Sequence, residues 1–157
     1  MGLINFKDID FKKSINNENK IINFNGTEIQ ILNYLPIHDK NDLIIISLQK
    51  SFENNIYNYH KLKMYFELHL IYLYTNIVFD ADSRADEEGL YDDLKKSGLL
   101  DLVINEIPKD ERCQLWEDVL NVKYDMEKYN NSFVAFISNS IDDLGDKVTK
   151  GIERIKS

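Results

Sequence analysis

A mostly α fold, a helical bundle with an N-terminal β-hairpin, is what this sequence predicts, on three observations. Asn25-Gly26 stands between the runs KIINF and TEIQIL, and such a pair between β-favouring runs is the strongest short-range hairpin signal, because both central turn residues need φ > 0. From Pro36 onward, apolar residues recur at helical spacing in segments bounded by helix start and stop signals. The chain has 157 residues, 43% hydrophobic and 29% charged, which suits one hydrophobic core with appended pieces rather than two domains.

Residues 1–19 set Leu3, Ile4, Phe6, Ile9 and Phe11 among Lys and Asp, then run into SINNENK, too polar and turn-prone to hold an element. They read as an arm. The hairpin follows at 20–32, and since two strands are marginal alone it must pack on helices or pair with the arm or another chain. At the next element Pro36 suits a first helical turn, Asp39 and Asp42 favour the positive helix start, and Leu43, Ile44, Ile45, Ile46, Leu48 and Phe52 follow. That run predicts a helix buried on most sides, although Ile44 to Ile46 would also suit a buried strand. After the turn-like ENN, the stretch from about Asn58 to Ile77 is apolar nearly all round, with Glu67 and His69 as interruptions, and predicts the central helix.

FDADSRADEEGLYDD is a polar, acidic break. Beyond it Leu90, Leu94 and then Leu99, Leu100, Val103, Ile104 and Ile107 predict two short helices split at Ser97-Gly98. Pro108 opens the next helix, with Asp110 and Glu111 in its first turn. Leu115, Val119, Val122, Met126 and Tyr129 form its apolar stripe, widened by Trp116, Leu120 and Tyr124, over about five turns. A last stripe runs Ile137, Ile141, Leu144, Val148, Ile152, Ile155, in which Gly145 and Gly151 each weaken a helix by roughly 1 kcal/mol relative to Ala. The organisation expected is an arm at 1–19, a helical domain at 20–145 and a C-terminal helical tail at 146–157.

Lys+Arg 19 against Asp+Glu 27 leaves a net charge of −8, a field that repels phosphate backbones and anionic lipid heads. No direct nucleic-acid binding is expected. No segment reaches the roughly 18 apolar residues of a membrane span, and the N-terminus has no basic-then-apolar signal pattern, so a soluble protein is expected. The single Cys113 excludes an internal disulfide or a Cys-rich zinc site.

Candidate chemistry is sparse. An EF-hand starting at Asp80 would need ligands at its third and fifth positions, Gly at the sixth and Glu at the twelfth; here stand Asp82, Arg84, Ala85 and Tyr91. Asp86, Glu87 and Glu88 read instead as favouring the start of the following helix. His38, His60 and His69 form no His pair at i, i+4 and no H-E-x-x-H, and a helix puts Glu67 and His69 on different faces. Cys113 lies in an amphipathic helix, where small buried thiols are common. Glycine-rich phosphate loops, G-x-S-x-G elbows and dinucleotide fingerprints are lacking. These readings predict no catalytic residue, no cofactor and no metal. Tyr57, Tyr59, Tyr65, Tyr72 and Tyr74 crowd the central helix and suit core edges or protein interfaces.

The string NFNGTEIQILNYLPIHDKNDLI, the Tyr-rich helix ending YLYTNIVF and LYDDLKKSGLLDLVINEIP resemble a group of small proteins encoded in the structural-gene regions of phages and prophages of low-GC Gram-positive bacteria. The resemblance spans about residues 20–145, carries no catalytic motif and leaves out the arm from Met1 to Asn19. It implies a non-enzymatic virion structural or morphogenesis protein, in the virion or the bacterial host cytoplasm, that contacts other phage structural proteins or itself within an oligomer or larger assembly. A hairpin followed by helices on an acidic body is also similar, in architecture alone, to phage tail assembly chaperones. The expected contact residues are Phe6, Ile9 and Phe11 of the arm and Leu144, Val148, Ile152 and Ile155 of the tail. Two rivals remain: an acidic inhibitor of a host defence nuclease, favoured by one-sided clustering of carboxylates, and a small hydrolase or metal enzyme, favoured by a pocket that gathers Glu67, His69 and His60.

Overall fold

A computed structural model of the protein describes residues 19–129. The expected contact residues Phe6, Ile9, Phe11, Leu144, Val148, Ile152 and Ile155, with the arm and the final apolar stripe, lie outside the described residues. The chain divides into two compact units, Met1–Glu117 and Asp118–Ser157, and the elements below belong to the first except where stated.

Among the described residues the fold is mostly α, with six helices and an N-terminal β-hairpin. The hairpin pairs β1 (Lys20–Phe24) antiparallel with β2 (Thr27–Ile31), in a register that sets Lys20 against Ile31 and Phe24 against Thr27. The two turn residues, Asn25 and Gly26, have φ of 50° and 86°, and the Asn23 carboxamide oxygen accepts from the Gly26 N–H at 3.0 Å. A Cβ at residue 26 would meet nothing within 4 Å, so substitution there strains the backbone alone. Gly26→Val should therefore lower stability by about 1–3 kcal/mol; an unchanged urea midpoint would show that the turn tolerates a β-branched residue.

One face of β2 supplies Ile29 and Ile31 to the core. The hairpin also gains a third partner: the Leu32 N–H donates to the Tyr74 carbonyl at 2.8 Å, the Gln30 N–H to the Asn76 side chain at 2.9 Å, and Ile31 bridges Thr75. This explains a correction. The central helix, expected to reach Ile77, is α2 (Tyr59–Tyr74), because its continuation leaves the helix to pair beside β2.

Helix α1 (Ile37–Ser51) buries Leu43, Ile44, Ser47, Leu48 and Ser51. It is not buried on most sides as its composition suggests, since Ile45 is 44% exposed. The interface with α2 uses one face, and the small Ser47 and Ser51 in that face leave room for the neighbouring helix. The segment read as a plain turn is a second, very short hairpin, β3 (Phe52–Glu53) and β4 (Ile56–Tyr57), closed by Asn54 and Asn55 at φ 51° and 67°. Asn reaches the left-handed region because its short polar side chain is tolerated there. The Asn58 side chain then caps α2, accepting from the N–H groups of His60 and Lys61.

Helix α2 packs on α1 and buries Leu62, Phe66, Leu68, His69, Leu70, Ile71 and Tyr74. The acidic break contains one helical turn, α3 (Ala81–Ala85), capped by Asp80, which accepts from the Ser83 N–H at 2.7 Å. Asp86 caps α4 (Glu87–Lys96) in the same way, through the Gly89 N–H. Gly98, at φ 79°, separates α4 from α5 (Leu99–Glu106), as a left-handed residue after a helix end does. α5 buries Leu100, Val103 and Ile104. Pro108 precedes α6 (Lys109–Lys128), whose Leu115 lies in the core. Within the second unit Val119 is buried, whereas Tyr124 and Tyr129 are more than 60% exposed. Among the described residues no helix is long and apolar enough to cross a membrane.

Candidate functional site

A groove of about 420 Å³ lies in the first unit between α2, α5 and the start of α6. Tyr59, Lys63, Phe66, Glu67 and Leu70 reach it from α2 because their spacing of three to four keeps them on one helix face. From α6 come Arg112, Cys113, Trp116 and Glu117, and α5 adds Ile104. The floor is buried at Phe66 and Leu70. Aromatic rings form one wall: Trp116 packs on Phe66 with centroids 4.9 Å apart and edge-on to Tyr59 at 6.1 Å. Tyr59 is 54% exposed, so part of this aromatic surface faces solvent.

The ionic groups of the groove are unequally satisfied. The Glu67 carboxylate accepts from the Tyr91 hydroxyl at 2.6 Å and pairs with Lys63 at 3.8 Å. Burial first, and then this carboxylate, push the Tyr91 phenol well above its ordinary range, which keeps it a donor. Arg112 donates one N–H to the Ile104 carbonyl at 3.2 Å, at the C-terminal end of α5 where carbonyls lack helical partners. Cys113 is exposed, against the expectation of a small buried thiol: it lies on the groove side of α6 rather than beside Leu115.

The structure does not gather the histidines and Glu67. Glu67 lines the groove, while His60 lines a separate polar cleft between α2 and α4 with Lys61, Asp86, Glu88 and Asp92. His69 is buried, with its Nδ1 2.6 Å from the Tyr65 carbonyl and its ring 5.4 Å from that of Tyr72. Desolvation, aided by Lys50 and Arg84, holds its imidazole below the ordinary histidine range against the opposing pull of the Tyr65 carbonyl and Glu87. Glu67 and His69 thus occupy different faces of α2, as their spacing requires. Burial raises the Tyr72 phenol to about 12, and the Arg84 guanidinium lies 4.7 Å from its ring centroid.

Several carboxylates of the acidic segment have structural partners. Asp80 and Asp86 are helix caps, and the Ser83 side chain and N–H hold Asp80 below its usual range. Glu87 pairs with Lys50, and Glu88 with Lys61, which also meets Glu53 at 2.5 Å. One grouping escaped the sequence reading: His38, Asp39 and Asp42 can each offer a donor atom within 4.8 Å of the others. All three stand in the first turns of α1, where the positive helix end opposes a cation.

Two features of the groove differ in how far the sequence revealed them. Trp116, Phe66 and Tyr59 each belong to apolar stripes, but their meeting is a tertiary event. Arg112 has no local acidic partner at helical spacing, a signal that was present in the sequence and passed over. Comparisons with protein-family models, with curated proteins and with solved structures find no match to this chain.

Proposed function

We propose that this protein is a non-enzymatic phage virion structural or morphogenesis protein that works through protein–protein contacts. The aromatic groove carries the proposal: Trp, Tyr and Arg are the residue types on which protein interfaces concentrate their binding energy, and Trp116, Tyr59 and Arg112 meet there beside an apolar floor. The resemblance of residues 20–145 to phage structural-region proteins supports the same reading. A tail assembly chaperone, absent from the finished particle, is the variant of this function in which the contact is transient. Self-association or docking on a larger assembly would also engage Phe6, Ile9 and Phe11 of the arm and Leu144, Val148, Ile152 and Ile155 of the tail.

A second reading has its own observation. Between Asp80 and Asp93 the sequence carries seven carboxylates and one cation, Arg84, an acidic run that suits an inhibitor mimicking nucleic acid, although Lys50, Lys61 and Lys96 pair with Glu87, Glu88 and Asp92. Mass spectrometry of purified particles, beside pull-downs from lysates in which assembly is under way, separates these readings. The expected result is the protein at many copies per particle; recovery only with an assembly intermediate identifies the chaperone. Absence from both, together with a monomeric intact chain in light scattering, would overturn the proposal and favour the inhibitor.

A further inference from the structure

The groove between α2, α5 and α6 holds a cation whose bonding is incomplete. A guanidinium carries five N–H donors in a planar fork that matches a carboxylate. Arg112 uses one of these on the Ile104 carbonyl, and no carboxylate lies within ion-pair distance of it among the described residues. The acid nearest in purpose, Glu67, is already engaged by Tyr91 and Lys63. Glu117 sits five residues along α6, outside the i+3 and i+4 reach of Arg112. Beside this unmet donor set stands a wall of Trp116 over Phe66, open to solvent at Tyr59.

Building on the protein-contact reading above, we propose that this groove captures one apolar side chain of a partner protein together with an adjacent carboxylate: the side chain lodges against Trp116 and Phe66, and the carboxylate takes the free edge of Arg112. Charge complementarity selects the occupant. A basic partner would set its cation against Arg112 and Lys63, and a purely apolar one would cover the guanidinium without replacing its water. Lys63, 3.8 Å from Glu67, offsets that carboxylate, and Glu117 opposes the incoming acid.

The chain carries its own reporters, since Trp116 is its single Trp and Cys113 its single Cys, and both line the groove. The test titrates the full chain with the acetylated, amidated dipeptide phenylalanyl-glutamate and with its phenylalanyl-glutamine counterpart, which differ only in the carboxylate. The expected result is a saturable change in Trp116 emission in the millimolar range usual for ligands this small, with the glutamine peptide at least ten-fold weaker. The glutamate peptide should also slow alkylation of Cys113 by N-ethylmaleimide several-fold. Arg112→Gln should erase the preference between the peptides, and Glu117→Gln should strengthen binding of the acidic one. Equal binding of the two peptides by the wild-type chain, or no change in either reporter up to about ten times that range, overturns the proposal. These wild-type measurements need no variant to fold and do not depend on particle composition, so the groove chemistry and the phage reading can fail separately.

Discussion

Replacing Glu111 with alanine is expected to lower the unfolding free energy by about 3–5 kcal/mol, the range found when one partner of a buried ion pair is removed. The Glu111 carboxylate accepts from the Leu35 N–H at 3.2 Å and the Tyr74 hydroxyl at 2.9 Å, and the Lys40 ammonium lies 2.8 Å away. It thereby ties the segment after β2, α1 and α2 to the first turn of α6. Lys40 and Glu111 side chains are each only 14% exposed, and Tyr74 is fully buried, so water replaces the lost acceptor only in part. Lys40 keeps one other contact, over the Tyr34 ring at 3.8 Å, which falls short of a counter-ion. Tyr74→Phe should cost only about 1 kcal/mol, because it removes one hydrogen bond and leaves the ion pair. Burial and the Glu111 carboxylate drive the Tyr74 phenol far above its ordinary range, so it remains a donor throughout the working pH range. Urea unfolding of the two variants checks this; a Glu111→Ala loss under 1 kcal/mol would mean that solvent reaches the site.

Local chemistry wrote much of the fold into the sequence. Asn25-Gly26 placed the first hairpin in its register, Gly98 divided α4 from α5, and Pro108 marked the start of α6, each because a backbone conformation or a missing N–H acts within a few residues. What escaped was set by distant partners. Nothing in YLYTNIVF says that its Thr75 and Asn76 will abandon the helix, because the reason lies at Gln30 to Leu32. Glu111 was legible as a first-turn acid, and its position four before Leu115 puts it on the buried face of α6. Its partners are 37 to 76 residues away, and no periodicity rule connects them. The groove is the same case: α2 and α6 each showed an apolar stripe, yet the meeting of Phe66, Trp116 and Arg112 around one groove exists only once those helices are packed. Asn54-Asn55 is different, since the turn was read and only the short strands on either side were missed. Two-residue strands carry too few side chains for alternation to appear.

The packing of α1 on α2 supplies the second large effect, and it separates burial from hydrophobicity within one helix. Leu48 is fully buried and Ile45, three residues earlier, is 44% exposed, although both are large aliphatic residues in the same run. Leu48→Ala should cost about 2–5 kcal/mol, since it loses both the transfer energy of its methyl groups and the contacts around the cavity it leaves. The position allows little collapse: Ser47 and Ser51 beside it are buried and already small, and the Ser51 hydroxyl is fixed to the Leu48 carbonyl at 2.9 Å. Ile45→Ala should stay within about 0.5 kcal/mol, because a half-exposed side chain gives up little burial and alanine is the better helix former. Thermal and urea unfolding of the pair test the assignment of the helix face. Similar losses at the two positions would mean that Ile45 is covered in solution, and a small loss at Leu48 would show that α1 does not rest on α2 through this face.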